Sequence, residues 1–375
     1  MPLSKKLTRP EKFARPKKFA RAALALSAVA SLLVAAACAP ADSPGGATPG
    51  GAVRLQGAGA TFPAPLYQKW LAEYKKTNAA AQIDYQSTGS GAGVKQFTEQ
   101  TIDFGATDMA MTDDELKQAN RDVVHIPTVL GADVITYNLA GVAEPLRFSP
   151  GVIADIFLGK IKRWDDPALG ADNPGVTLPA EAITVVHRSD GSGTTAVFTD
   201  YLSKVSPEWK EKVGMGKTVN WPTGQGGKGN EGVSGMIKQQ PNTIGYVELA
   251  YAKQTGLPVG RIKNSAGNFV EPTLDNITAA AAEALAAMPE DLRTSITNAS
   301  GASAYPIAAY TYILIDREQR DAAKGRALVD FLWWGIHDGS QFARDLGYAP
   351  LPPTVVQKVE AKLSAIASGG KPLRQ

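Results

Sequence analysis

A single cysteine, Cys38, stands in this 375-residue chain, so no disulfide can form within it and the fold has to rely on packing. Histidine is nearly as scarce. His125, His187 and His337 are scattered rather than set at metal-ligand spacing, which points to structural or surface roles and gives no support for a bound metal or other cofactor. No G-x-S-x-G elbow, P-loop lysine pattern or H-E-x-x-H helix occurs, so the usual signatures of a hydrolase nucleophile, a nucleotide cradle and a zinc protease are missing. The apolar run Ala22 to Ala37 falls short of the roughly 20 residues a membrane-spanning helix needs.

What that run does have is a basic preface. Residues 1–21 carry eight Lys or Arg against Glu11 alone, giving the order of a secretory signal, charged first and then apolar. The charge of the whole chain is misleading for this reason. Residues 1–37 hold a net +7, so the formal +3 of the full sequence becomes −4 for residues 38–375. A weakly acidic body gives no basic surface for nucleic acid, and none is expected as a partner. Cys38 follows directly on Ala35-Ala36-Ala37. The arrangement resembles a bacterial lipoprotein lipobox, with Ala35 where Leu is usual, and implies that 1–37 is a signal peptide removed before a lipidated Cys38. Residues 38–52, rich in Ala, Pro, Gly, Ser and Thr, then read as a flexible tether.

The body is long enough for two domains, and its most informative stretch is Val185 to Thr195. A β-branched run ends in Arg188-Ser-Asp190-Gly-Ser192-Gly193-Thr194, and a helix follows. A strand, a tight loop and a helix start present unpaired N–H groups and the positive end of a helix dipole, enough to hold an oxyanion without metal. Ser192 and Thr194 add hydroxyls, Gly193 lets the backbone approach, and Arg188 can fork onto two oxygens while Asp190 orients it. Taken alone, the segment reads equally well as a glycine-rich turn with a surface Arg–Asp pair.

Two more junctions repeat the pattern. Val53 to Gln56 reads as a strand leading to Thr61 and Phe62, ahead of a helix patterned by Leu66, Tyr67, Trp70 and Tyr74. Gln82 to Gln86 reads as a strand, Ser87 to Gly93 as a loop containing Ser90, and Val94 to Gln100 as a helix. Three such junctions suggest helix starts converging on one anion at the carboxyl ends of strands. Asp108, at the end of the strand Ile102 to Thr107, breaks the rule, since a carboxylate repels an anion. It makes sense if the ligand keeps a proton: an ionised Asp only accepts hydrogen bonds, so it favours P–OH and penalises a fully ionised oxyanion such as sulfate. The other reading is that Asp108 caps the helix beginning near Thr112.

Val123 to Pro127 and Val134 to Asn138 read as two strands, with a domain crossing between 127 and 130, and Tyr310 to Ile315 as a strand returning to the first domain. The expected division is 53–128 with 303–375 as a discontinuous lobe I and 129–302 as lobe II, with a hinge between them. Gly224, Gly226 and Gly229 match G-x-G-x-x-G but follow no regular strand, so they read as coincidence or as a ligand-side loop.

Together these residues resemble the PstS-type phosphate-binding proteins of bacterial ABC importers. The resemblance rests on Gly57-Ala-Gly-Ala-Thr-Phe-Pro-Ala-Pro65, Gly89-Ser-Gly91, Asp103-Phe-Gly-Ala-Thr-Asp108, Leu158-Gly-Lys-Ile-Lys-Arg-Trp-Asp165, Arg188-Ser-Asp-Gly-Ser-Gly-Thr194 and Gly226-Gly-Lys-Gly-Asn230. It implies an α/β, two-lobed periplasmic-binding-protein-like fold with dehydrated inorganic phosphate in the interdomain cleft. It also implies ligand contacts from Thr61, Phe62, Ser90, Asp108, Arg188, Ser192, Gly193 and Thr194, with Asp190 orienting Arg188. The implied partners are the membrane permease subunits of a phosphate transporter, and the implied state is a monomer. Thr107 stands where Ser is common, and His187 where a basic residue is common, which introduces a pH-dependent group beside the arginine. Two other classes fit parts of the chain: a secreted phosphate-ester-processing enzyme, which needs a nucleophile or metal pair beside the anion, and a surface lipoprotein that binds no small ligand.

Overall fold

In the computed structural model, which describes residues 52–142 and 145–374, the alternation of strand and helix builds one eight-stranded sheet flanked by helices. The signal segment, Cys38 and the tether up to residue 51 lie outside the described residues. Among the described residues no helix is long and apolar enough to cross a membrane.

The chain begins with β1 (Val53–Gly59), α1 (Ala64–Thr77), β2 (Ala81–Ser87), α2 (Ser90–Thr98), β3 (Phe104–Thr107), α3 (Asp113–Ala119) and β4 (Val123–Asn138). It continues through α4 (Pro150–Phe157), β5 (Thr184–Arg188), α5 (Gly193–Val205), β6 (Gln225–Gly227), α6 (Gly229–Gln239), β7 (Thr243–Glu248), α7 (Leu249–Thr255) and α8 (Leu274–Ala284). β8 (Ala308–Asp316), α9 (Ala322–Ile336) and α10 (Pro353–Ser364) complete the main elements. The strands lie in the order β2-β1-β3-β8-β4-β7-β5-β6.

Register sets where the strand ends of the two halves meet. β1, β2 and β3 run parallel, β8 is antiparallel to both β3 and β4, and β7 is antiparallel to β4 and parallel to β5, which is parallel to β6. The two sets of strands therefore run in opposite directions. β8 covers Val123–Ala132 of β4 and β7 covers Asp133–Asn138, with Glu248 at the end of β7 opposite Asp133. On the other side β3 ends at Thr107 opposite Tyr312, itself opposite Pro127. Both sets thus point their carboxyl ends at the middle of β4, the edge from which α/β sheets present helix starts to ligands.

Two local readings change. The pattern predicts two strands flanking Gly131, yet β4 is one strand of 16 residues. Gly131 is needed for space rather than as a break, because a Cβ there would lie 2.5 Å from the Phe62 ring. α2 begins at Ser90, four residues before the expected Val94, with Gly89 in the left-handed region at φ 93°. Gly91 and Gly93 weaken helix propensity on their own, so tertiary contact decides: the Gly91 N–H donates to Gly191 O at 2.8 Å, and a Cβ at 93 would lie 2.5 Å from the Gly59 backbone.

The core is aromatic and continuous across the sheet, with Trp70, Trp164, Trp209, Tyr137 and Tyr246 fully buried. The helical spacing of Leu66, Tyr67, Trp70 and Tyr74 turns one face of α1 into this core, where Trp70 packs edge-on to Phe331 of α9 and its Nε1 donates to Gly339 O at 2.8 Å.

Candidate anion-binding site

At the end of β5, Arg188 is only 3% exposed and its guanidinium is held by Asp190 through two bonds, Nε to Oδ1 at 2.8 Å and Nη2 to Oδ2 at 2.6 Å. Asp190 also accepts the Gly229 N–H at 3.0 Å. Burial disfavours both charges, but the bidentate pair outweighs it, so the Asp190 carboxyl stays below its ordinary range and the Arg188 guanidinium above its own. The third nitrogen, Nη1, reaches Thr194 Oγ1 at 3.3 Å.

Ser192 caps α5, its Oγ accepting the Thr195 N–H at 3.0 Å. The hydroxyl proton is left over, and the N–H groups of Gly193 and Thr194 sit in the first turn, where a helix has no acceptor for them. These are surplus donors at the positive end of a 13-residue helix.

The facing half supplies Thr61 and Phe62 between β1 and α1, Ser90 as the first residue of α2, and Asp108 just beyond β3. Phe62 turns its ring into the core and gives its carbonyl to the Tyr348 hydroxyl at 2.6 Å, leaving its N–H for the site. Asp108 Oδ1 accepts from Thr311 Oγ1 at 2.8 Å, and Oδ2 from Ser90 Oγ at 3.3 Å. It does not serve α3, whose cap is Thr112 in a capping box with Glu115, so the capping reading of Asp108 is set aside. A Cβ at position 193 would lie 2.3 Å from Asp108 Oδ2 and 2.4 Å from Ser90 Oγ, so the halves can approach this closely only at a glycine.

Burial pushes the Asp108 carboxyl up to about 7, against the opposing pull of the Thr311 hydrogen bond and the Arg188 charge. Two further acids lie near it. Asp133 and Glu248 stand opposite each other across β4 and β7, both fully buried, and Asp133 has no hydrogen-bond partner for either carboxyl oxygen among the described residues. Burial pushes both well above the carboxylate range, with Asp108 and Glu248 adding to the rise at Asp133 and the Ala250 and Tyr348 hydrogen bonds partly opposing it at Glu248.

All eight expected contact residues are buried, and they come from strand ends on both sides of β4. His187 does not join them. Its ring stacks on Trp221 at 4.8 Å, Nδ1 contacts Arg188 O, and burial lowers its pKa, so it stays neutral at physiological pH. Thr311, which holds Asp108, is a residue that sequence reasoning passed over; Gly229 on Asp190 and Asn230, which reaches both Thr61 and Thr194, lie in the run read as coincidence or as a ligand-side loop, and they belong here too. The glycine run before Asn230 was the only signal for the last two; a threonine within a strand gives none.

A family model described as a PBP superfamily domain matches residues 45–333. The chain is 46% identical to the phosphate-binding protein PstS of Pasteurella multocida, over 86% of this chain and 93% of that one. It is 42% identical to the phosphate-binding protein PstS of Methanocaldococcus jannaschii, over 80% and 82%. Among solved structures, a high affinity periplasmic phosphate-binding protein (PfluDING) bound with phosphate superposes with a TM-score of 0.65 at 21% identity, covering 85% of this chain and 97% of that one. A phosphate-binding protein from Stenotrophomonas maltophilia superposes with a TM-score of 0.63 at 22% identity, covering 82% and 93%. At these identities the structures show a shared fold.

Proposed function

The chain belongs to the PstS family of phosphate-binding proteins, and from that premise we propose that it captures inorganic phosphate outside the cytoplasmic membrane and hands it to an ABC importer. The observation that carries the reading is the pairing across the cleft. Arg188 and the surplus donors of α5 form one wall, and Asp108, a lone acceptor braced by Thr311 and Ser90, forms the other. Donors grip the oxyanion, and Asp108 accepts a hydrogen bond from the P–OH that phosphate keeps and sulfate lacks. Thr61, Phe62, Ser90, Asp108, Arg188, Ser192, Gly193 and Thr194 are the proposed contacts, with Asp190 holding the arginine. The chain acts as a binder rather than an enzyme, as a monomer, with the membrane subunits of the importer as partners. Titration calorimetry with phosphate and sulfate is the direct test, and comparable heats for the two anions in the wild type would refute the reading.

Two further elements extend it. Residues 53–128 with 303–375 act as one lobe and 129–302 as the other, and phosphate draws them together. Small-angle scattering should show a smaller radius with phosphate than without, and identical dimensions would exclude closure. Export ends with lipidation of Cys38, which anchors the protein to the membrane through the 38–52 tether. Cys38→Ser is expected to move the protein from the membrane to the soluble fraction or to arrest its processing; unchanged membrane association would show that the cysteine is not the anchor.

A further inference from the structure

Asn230 is a fully buried side chain that touches both walls of the site at once. Its Nδ2 donates to Thr61 Oγ1 at 2.8 Å and to Thr194 Oγ1 at 3.1 Å. Its Oδ1 accepts the Glu248 N–H at 2.9 Å, which fixes the orientation of the amide, because a flipped amide would set its NH2 against another donor. The Asn230 backbone N–H reaches Thr61 Oγ1 as well, at 3.3 Å, and Arg188 Nη1 reaches Thr194 Oγ1 at 3.3 Å.

A hydroxyl has two lone pairs and one proton. Both lone pairs of Thr61 Oγ1 face donors, and so do both of Thr194 Oγ1, leaving each oxygen nothing further to accept. We infer that Asn230 is a positioning residue that sets the polarity of the two threonine hydroxyls, so that each can only donate, and can therefore only meet an acceptor oxygen of the ligand. The inference rests on the phosphate reading above and adds a rule to it: a ligand that offers a proton at Thr61 or Thr194 is rejected, which leaves Asp108 as the only place for P–OH. It also gives a use to the glycine run that ends at Gly229, where φ is 70° and the chain turns to bring Asn230 under the site.

A double-mutant cycle read by phosphate titration tests this. Asn230→Leu keeps the volume and removes the donors, so the hydroxyls lose their fixed polarity, and affinity should fall about tenfold. In a Thr61→Val/Thr194→Val background the same change should alter affinity less than about twofold, since no hydroxyl is left to orient. An equal loss in both backgrounds would mean that Asn230 acts independently of the threonines, and no loss in the wild-type background would mean that it does not act; either overturns the inference while leaving the phosphate reading in place. Should Asn230→Leu fail to fold, Asn230→Ala is read in the same cycle, with the melting temperature of the ligand-free protein as control. Wild-type protein that takes up no phosphate would overturn the function and this inference together.

Discussion

Arg188→Met is expected to weaken phosphate binding by about a thousandfold, since truncating a buried, hydrogen-bonded charge costs roughly 2–5 kcal/mol and each 1.4 kcal/mol is a factor of ten. The loss has two sources. The ligand forfeits the one cation among the proposed contacts, and the buried Asp190 loses the partner that holds its carboxylate, keeping among the described residues only the Gly229 N–H. Arg188→Lys should recover only part of the affinity, because a point charge cannot bond both Asp190 oxygens and still reach Thr194. Titration of the three proteins decides it: a methionine variant within about tenfold of wild type would remove Arg188 from the site.

Asp108→Asn should act on two anions in opposite directions. Phosphate affinity falls by roughly 10- to 100-fold, because a hydrogen bond to an ionised acceptor is worth about 1.5–3 kcal/mol, while sulfate, no longer facing an acceptor-only group, binds better. A variant that still discriminates as the wild type does would show that selectivity lies elsewhere. The same substitution has a signature without ligand. Burial holds Asp108 at about 7 in the folded chain, above the roughly 3.9 of an unfolded Asp. Between those values the folded state binds the extra proton, so this group's contribution to stability falls as pH rises from about 4 to about 7 and is fully lost above that. The deficit is on the order of 4 kcal/mol, and asparagine does not titrate. Ligand-free Asp108→Asn should therefore melt above wild type at pH 8, with the gap closing as pH falls toward 4. Equal melting at pH 8 would show that the carboxylate costs the fold nothing.

The parts of the site that were legible in the sequence are the local ones. Arg188, Asp190 and Ser192 to Thr194 lie within seven residues, and strand, glycine turn and helix cap together dictate their geometry. Asp108 was legible as a misfit. The rest depends on residues distant in the chain. Thr311 meets Asp108 only because β8 inserts between β3 and β4, and Asn230 meets Thr61 across 169 positions. The start of α2 is not legible for a related reason: Gly91 and Gly93 read as loop until the Gly191 carbonyl and the Gly59 backbone are set against them. In β4 the same residue type misled the other way, since Gly131 makes room for a ring rather than a turn.

β4 changes its neighbour from β8 to β7 between Ala132 and Asp133, and one backbone bond, from the Asp133 N–H to Ile307 O at 2.9 Å, carries the β8 side across that step. Under the proposed closure, a flexure there would cost that one bond and leave the rest of both ladders whole, so the sheet would bend with little loss of backbone pairing. Under the same proposal, what would resist opening lies at the mouth: the Gly91–Gly191 bond, the Lys217–Glu115 ion pair at 2.8 Å, the Arg293–Asp113 pair at 2.9 Å and the Asn230 bridge to Thr61. The clasp and the spring are separate parts, and the clasp is partly ionic. Under that proposal salt should act mainly through the Arg293–Asp113 pair, whose aspartate is 78% exposed, and little through the mostly buried Lys217–Glu115 pair, a control on closure separate from the chemistry that recognises the anion.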